Sequence, residues 1–522
     1  MKQTAIFVVG MHRTGTSAIA GTLNILGLPL GNNPLPPRPD NPKGFFEEKD
    51  ILAINEEFFL TVGNSNWWYE FFPIINPHNE KYKEWIKRIQ ELLIKKYSRD
   101  KIFVIKDPRL CYIFPLYEKA CINLKIAVKV IMTLRSYKEI ADSLFVRNQI
   151  DKKTAYRGIL GHYSRANHYT KNHPRITVDY SETIENIDHL LERIKIFIPQ
   201  ITITEEKKKI IHEFITEDLR HHVSQNNQTI NFLGIGAQKS GTTTLCCILK
   251  QHPLIGIAEQ KEVHYFDYPE NFIRGHEWYE QQISPLREEN KIYGEITPYY
   301  LFHPGIPHKV HRLNPKIKII AILRDPVERA WSHYLHALRL GYENISFLSA
   351  LKSERKRIKW NHKRLKEDDL FFSYHHQHNS YRYRGYYLEQ FKNWYQYFDK
   401  SRIKIIKYED FIKNQKGEMQ KIFSFLGIND IEFSETHLNM GENKKMPEFI
   451  RIILQSHFIP YNKKLSDEIS INWDYCLSAK IIYKIFSWLK IDPLILLHFL
   501  INVERINNIF SKYFDSSIKI IY

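Results

Sequence analysis

One glycine-rich segment occurs twice in this chain, and no other feature restricts the fold as strongly. Phe7-Val8-Val9-Gly10-Met11-His12-Arg13-Thr14-Gly15-Thr16-Ser17 returns 226 residues later as Leu233-Gly234-Ile235-Gly236-Ala237-Gln238-Lys239-Ser240-Gly241-Thr242-Thr243. In the second copy, the apolar run Asn231-Phe232-Leu233-Gly234-Ile235 predicts a buried strand. The residues from Thr244 to Lys250 predict a helix. A tight loop with two glycines and one cation joins them. A strand, glycine loop and helix in that order aim backbone N–H groups and a helix N-terminus at one point, and both favour an anion.

Two more elements repeat in the same order. Lys129-Val130-Ile131-Met132-Thr133-Leu134-Arg135 matches Lys318-Ile319-Ile320-Ala321-Ile322-Leu323-Arg324, each an apolar strand ending in arginine, and a serine follows eight residues later at Ser143 and Ser332. Between them, Lys101-Ile102-Phe103-Val104-Ile105-Lys106-Asp107-Pro108 matches Lys291-Ile292-Tyr293-Gly294-Glu295-Ile296-Thr297-Pro298. The spacing from its first lysine to the arginine is 34 residues in one copy and 33 in the other. Ordered self-similarity of this kind predicts duplication of a whole domain. The expected fold class is α/β, with two tandem P-loop-like domains, each a central parallel sheet flanked by helices. The expected boundaries are 1–225 and 228–475, with a polar linker over 224–228 and a helical C-terminal extension over 476–522.

Length and charge agree with a two-domain protein that handles anions. A chain of 522 residues exceeds one ordinary core, and a formal net charge of +17 suits a polyanionic ligand. The five cysteines include no Cys-x-x-Cys pair and are expected to be reduced core residues of a cytoplasmic protein. The N-terminus runs straight into a first strand and not into a signal peptide, and no apolar run is long enough for a transmembrane helix. The chain is therefore expected to be soluble and cytoplasmic, with peripheral membrane contact through 476–522 as a lesser reading. A nucleic-acid partner would rest on charge alone, so none is expected.

The loop departs from the nucleotide-triphosphate P-loop pattern. That pattern carries lysine and then serine or threonine directly after its second glycine. Here Thr242 follows Gly241 and the lysine lies inside the loop, at Lys239. In this form, residues 238–243 (Gln-Lys-Ser-Gly-Thr-Thr) resemble the 5′-phosphosulfate loop of the sulfotransferases that use 3′-phosphoadenylyl sulfate, PAPS, and release PAP. The resemblance makes Lys239, Ser240, Gly241, Thr242 and Thr243 donor-binding residues, with Lys239 also stabilising the leaving phosphate.

The rest of the second copy extends the resemblance. Leu323-Arg324-Asp325-Pro326-Val327-Glu328-Arg329-Ala330-Trp331-Ser332-His333-Tyr334 resembles the family's 3′-phosphate motif, which assigns Arg324 and Ser332 to that phosphate. Lys261-Glu262-Val263-His264-Tyr265-Phe266 resembles the heparan-sulfate-type enzymes. It implies Glu262 as catalytic base, with His264 and Asp267 in support. On an extended segment Glu262 and His264 would share a face. Residues 441–447 resemble the lysine-rich closing loop and assign Lys444 and Lys445 to the 3′ phosphate. One departure stands out: where those enzymes carry lysine before the Thr-Pro strand end, this chain has Ile296.

The first copy resembles bacterial sulfotransferase-like proteins through residues 10–17, 40–47 and 106–110. Arg13, Thr14, Gly15, Thr16 and Ser17 would hold phosphosulfate, and Arg135 and Ser143 the 3′ phosphate. Glu47 or Asp107 could be its base. Sulfuryl transfer requires no metal in principle, because the moving group carries less charge than a phosphoryl group. No metal is therefore expected, and the histidines of 374–378 are expected in a solvated loop. Residues 352–366 form a basic run with a solvated face. Trp360 and the tyrosines of 381–387 are expected to offer aromatic surfaces for sugars.

The resulting expectation is a bacterial-type enzyme that moves sulfate from PAPS to a hydroxyl or amine of a carbohydrate or glycan acceptor. Two alternatives remain at this level. One is a P-loop kinase-like phosphotransferase. The other keeps one domain, most naturally the first, as a non-catalytic binding or scaffolding module.

Overall fold

The computed structural model describes residues 3–37, 43–62, 74–215, 230–284, 288–435 and 444–496. The expected linker at 224–228, residues 40–42 and 441–443 of two motifs, and the extension beyond 496 lie outside the described residues. The chain forms two compact units. One comprises Met1–Asn226 with Tyr268–Trp278 and Glu367–Phe371. The other comprises Asn227–Asp267, Tyr279–Lys366 and Phe372–Tyr522.

The first unit is built on a four-stranded parallel sheet. Its strands are β1 (Thr4–Val9), β2 (Ile102–Lys106), β3 (Ala127–Leu134) and β4 (Arg175–Asp179), in the order β2-β1-β3-β4. β1 is apolar along its length because both faces are covered. Ala5, Phe7 and Val9 enter one core with helix Leu110–Asn123, while Ile6 and Val8 enter another with helices Thr16–Ile25 and Ile187–Phe197. Full burial of the larger of these side chains, Ile6, Phe7, Val8 and Val9, contributes about 1.5–3 kcal/mol each.

The second unit repeats this plan with one more strand. β5 (Phe232–Gly236), β6 (Ile255–Ile257), β7 (Ile292–Ile296), β8 (Lys318–Leu323) and β9 (Ile403–Lys407) pair in the order β6-β7-β5-β8-β9, all parallel. In both sheets the first strand lies between neighbours reached by connections in opposite directions. The glycine loop leaves the carboxyl end of that strand, at the point where open α/β sheets form their binding crevice.

Local structure departs from the sequence reading in several places. The helix after the second loop starts at Thr242, before the expected Thr244, because Gly241 adopts a left-handed φ of 80° and caps it. The helical stretches over 180–197 and 408–426 are each broken, at Asn186 and Asn414. Both asparagines leave helical geometry, and their side chains accept a backbone N–H of the next helix, from His189 and Gly417. That is N-capping, which favours asparagine over continued helix. The basic run divides into helices Phe347–Ile358 and Asn361–Glu367.

The histidines of 374–378 are not in a solvated loop. They form helix Tyr374–His378, in which His376 is buried, stacks on Phe302 and shares a hydrogen bond with the Tyr299 hydroxyl. Among the described residues no group of three His, Cys, Asp or Glu is placed to hold a metal. Tyr381 and Tyr387 are core residues and offer no surface for sugars, whereas Trp360 is 78% exposed. Cys111, Cys121 and Cys246 are buried, Cys247 is half-buried and Cys476 is exposed, so the last is not the core residue expected. No helix among the described residues is long and apolar enough to cross a membrane.

Candidate active site

The second glycine loop is shaped by backbone conformation. Lys239 and Gly241 both have positive φ, at 68° and 80°. Such alternation turns successive N–H groups inward and forms an anion nest. Gly241 cannot be replaced cheaply, since a Cβ there would stand 3.1 Å from the Tyr408 ring at an unfavourable φ. Ser240 is fully buried, and its hydroxyl has no partner among the described residues. An orphaned buried hydroxyl inside a nest of N–H groups fits an anion that supplies the missing acceptor.

Cations surround this loop. Arg324, at the end of β8, donates from Nη1 to the Lys239 carbonyl at 3.1 Å and lies over the Tyr408 ring. Burial pushes the Lys239 ammonium below its usual range. Repulsion from Arg339, Arg324 and Lys261 pushes the same way, while Glu262 opposes it. His336 is held down to about 4 by burial and by Lys239 and Arg339, so it is neutral. Arg384, buried behind the loop, donates to Gln238 Oε1 at 2.7 Å and lies over the Tyr299 and Phe302 rings. Burial lowers its guanidinium to about 9. Concentrated positive charge in a partly dry site attracts a multiply charged anion.

Glu262, His264 and Asp267 come together, though not on an extended segment. His264 has a left-handed φ of 53°, and the segment is irregular. Asp267 accepts from His264 Nδ1 at 2.7 Å, and His264 Nε2 stands 3.4 Å from Glu262 Oε2. Lys261 donates to Glu262 Oε1 at 2.8 Å. Side-chain exposure rises along this chain from 0% at Asp267 to 18% at His264 and 37% at Glu262. Burial alone would raise the Glu262 carboxyl, but the His264 contact and the Lys261 ammonium outweigh it and hold it at about 2. Burial likewise opposes charge on His264, and Asp267 and Glu262 override it and raise the imidazole to about 10. Glu262 is therefore an ionised carboxylate aimed outward, backed by an imidazolium.

The anchor of this segment was not legible in the sequence. Glu295 on β7 is fully buried. It accepts from the Val263 amide at 3.1 Å and from the hydroxyls of Thr297, Tyr279 and Tyr300 at 2.7–2.8 Å. Tyr300 in turn accepts from the Tyr265 amide at 3.0 Å. Burial raises the Glu295 carboxyl, and its four donors oppose that.

The other named residues fall as follows. Thr242 is buried at the first helical position and Thr243 is half-buried. Ser332 is half-buried in helix Pro326–Arg339, which Asp325 caps by accepting from Val327 and Glu328. Lys444 and Lys445 are exposed, and the Lys444 carbonyl accepts from Trp331 Nε1 at 2.7 Å, next to Ser332 in sequence. Ile296 is buried in the core and offers no charge.

The first unit repeats the loop geometry. Arg13 and Gly15 have φ of 69° and 89°, and a Cβ on Gly15 would stand 2.6 Å from the Tyr180 ring. Arg135 Nη1 donates to the Arg13 carbonyl at 3.0 Å and lies over Tyr180. Thr14 is buried and donates to the Met11 carbonyl at 2.7 Å. Thr16 opens the helix, and the Ser17 hydroxyl donates to the Phe45 carbonyl at 3.3 Å. Arg13 Nε donates to the Ser143 hydroxyl at 2.7 Å. Glu47 is paired with Lys106 at 2.5 Å, and Asp107 accepts from Asn55 and Arg109.

Tyr180 and Tyr408 are a fourth repeated element that sequence reading missed. Each directly follows the strand next to the arginine strand, and their separation of 228 residues nearly equals that of the loops. That offset was the signal that could have found them.

Residues 230–451 match the family model described as a sulfotransferase domain. The membrane-associated sulfotransferase kil1 of Dictyostelium discoideum is 26% identical over 303 residues, covering 45% of this chain and 64% of that protein. Mouse heparan sulfate glucosamine 3-O-sulfotransferase 5 is 26% identical over 226 residues, covering 42% of this chain and 61% of that protein. The chain thus spans less than two thirds of these relatives. A crystal structure of a sulfotransferase from Alicyclobacillus acidocaldarius is 28% identical, covering 48% of this chain and 98% of that one, with a TM-score of 0.39.

Proposed function

We propose, from the premise that this chain belongs to the PAPS-dependent sulfotransferase family, that its second unit transfers sulfate from PAPS to a hydroxyl or amine of a carbohydrate acceptor. The observation that carries this is the pairing of two opposite devices at one crevice. A cationic nest holds Lys239 with the orphaned Ser240 hydroxyl, and Lys239 is close enough to the ionised Glu262 for their charges to interact.

The loop would receive the 5′ phosphosulfate. Arg324 and Ser332, with Lys444 and Lys445, would receive the 3′ phosphate. In the first unit the corresponding residues are Arg13, Thr14, Gly15, Thr16 and Ser17 for the loop, and Arg135 and Ser143 for the 3′ side. The donor supplies an activated sulfuryl group bonded to a good leaving phosphate. Glu262 takes the acceptor proton as the acceptor oxygen or nitrogen bonds to sulfur. Lys239 stabilises the charge that appears on phosphate oxygen as the sulfur–oxygen bond breaks. His264 and Asp267 hold Glu262 in position and do not exchange the proton. The acceptor class rests on the carbohydrate acceptors named for the 3-O-sulfotransferase relatives and on the match of Lys261-Glu262-Val263-His264 to that type.

Radiolabelled sulfate transfer from PAPS to a glycan panel, run in EDTA, tests the reading. Transfer is expected without added metal. Activity only with ATP and Mg²⁺ would replace this reading with a kinase.

A further inference from the structure

The two units differ in what they do with one carboxylate. Four residues after the phosphate-side arginine, both copies carry glutamate: Glu139 after Arg135 and Glu328 after Arg324. In the first unit Glu139 accepts from Arg135 Nε at 2.8 Å, and the pair is well buried. The Arg135 fork thereby has one edge closed by its own helix. Ser143, the other group assigned to the same phosphate, is engaged by Arg13.

In the second unit the same carboxylate is drawn away. Arg451, from helix Glu448–Ile469, forms an ion pair with Glu328 and also reaches Glu448 at 3.5 Å. Arg324 is left with the Lys239 carbonyl and the Tyr408 ring and has no carboxylate partner among the described residues. Arg451 touches neither the loop nor Arg324 in these contacts.

We propose that this carboxylate decides which copy holds the donor: Glu139 keeps the first site closed to the 3′ phosphate, and Arg451 is a positioning residue that keeps the second site open by sequestering Glu328. The proposal rests on the sulfotransferase reading and adds to it a division of labour. An anion entering the first site finds only Nη2 of Arg135 without a partner, and there the like charges of phosphate and Glu139 meet at close range. Such juxtaposition strongly disfavours binding. In the second site Arg324 has no carboxylate partner among the described residues.

The test is PAP binding to the full chain by calorimetry, which reads stoichiometry and affinity together. The wild type is expected to bind one PAP per chain, lost in Arg324→Ala. Glu139→Gln is expected to bring the stoichiometry to two. Arg451→Met is expected to weaken the single site about tenfold or more, and Glu328→Gln added to it is expected to restore most of that loss. A merely structural role for Arg451 would give no such rescue, and Glu139→Gln keeps the test alive if Arg451→Met fails to fold. Two sites in the wild type, one site still in Glu139→Gln, retention of the site in Arg324→Ala or no rescue by Glu328→Gln would each overturn the proposal alone. No PAP binding by the wild type would overturn the donor-binding reading beneath it.

Discussion

The Glu295 carboxylate accepts the Val263 amide, so a buried acid on a sheet strand holds the backbone midway between Glu262 and His264. The site therefore depends on a residue that touches neither donor nor acceptor. Glu295→Gln places an amide N–H₂ among four donors and leaves at least one buried group unsatisfied. The expected cost is about 1–3 kcal/mol of stability, read by denaturant unfolding. Turnover should fall with it, while PAP affinity stays close to wild type because the loop is held by other contacts.

Glu262→Gln should abolish most sulfate transfer, by about 10²–10⁴-fold, and leave PAP binding intact. Wild-type turnover in this variant would move the base elsewhere.

The pH dependence follows from the same group. Glu262 is held at about 2, so it is ionised across the range in which the protein works and sets no acid limb above that value. His264→Ala removes the first hydrogen-bond partner that lowers it. The acid limb of kcat/KM should then move up toward the ordinary carboxylate value. For stability the signs are opposite for the two residues. The contribution of Glu262 is present above its unfolded pKa and is lost as pH falls toward about 2. That of His264 is full below its unfolded pKa and is lost as pH rises through about 10.

Lys239→Ala should lower kcat by about 10²–10³-fold, the loss expected when a donor to developing charge is removed. Because burial and neighbouring cations depress the Lys239 ammonium, activity should also fall on the alkaline side before an ordinary lysine would titrate. A profile of kcat/KM against pH checks this. The limb should be absent in the alanine variant.

In the first unit, Arg175 on β4 pairs with Asp368 at 2.9 Å, and both side chains are fully buried. Removing one partner strands a buried charge, so Asp368→Ala should cost about 3–5 kcal/mol. Replacing both at once, as Arg175→Met with Asp368→Leu, should cost less. Thermal unfolding of the two variants makes the comparison.

Much of the fold was legible because duplication and strand hydrophobicity are local properties. β1, β3, β5 and β8 lie where the apolar runs predict strands. Helix breaks such as those at Asn186 and Asn414 are not legible in sequence, because an asparagine that caps and one that merely sits in a helix look alike there. The burial of His376, Tyr381 and Tyr387 is hidden from the sequence for a related reason. Polar atoms on these side chains do not reveal whether a partner waits inside, and Tyr299 and Glu343 are such partners.

The amino-acid sequence by itself determined the two glycine loops, the displaced Lys239, the arginine-and-serine spacing and the Glu262–His264 segment, because each is a short string whose chemistry lies in residue type and interval. Tertiary structure alone decided what those groups are paired with. Glu139 and Glu328 occupy the same place in their copies, yet one closes on Arg135 and the other turns to Arg451. That choice depends on helix Glu448–Ile469, more than a hundred residues from Glu328 along the chain. Charge pairing is set by distance in space, and no local interval in the sequence encodes it.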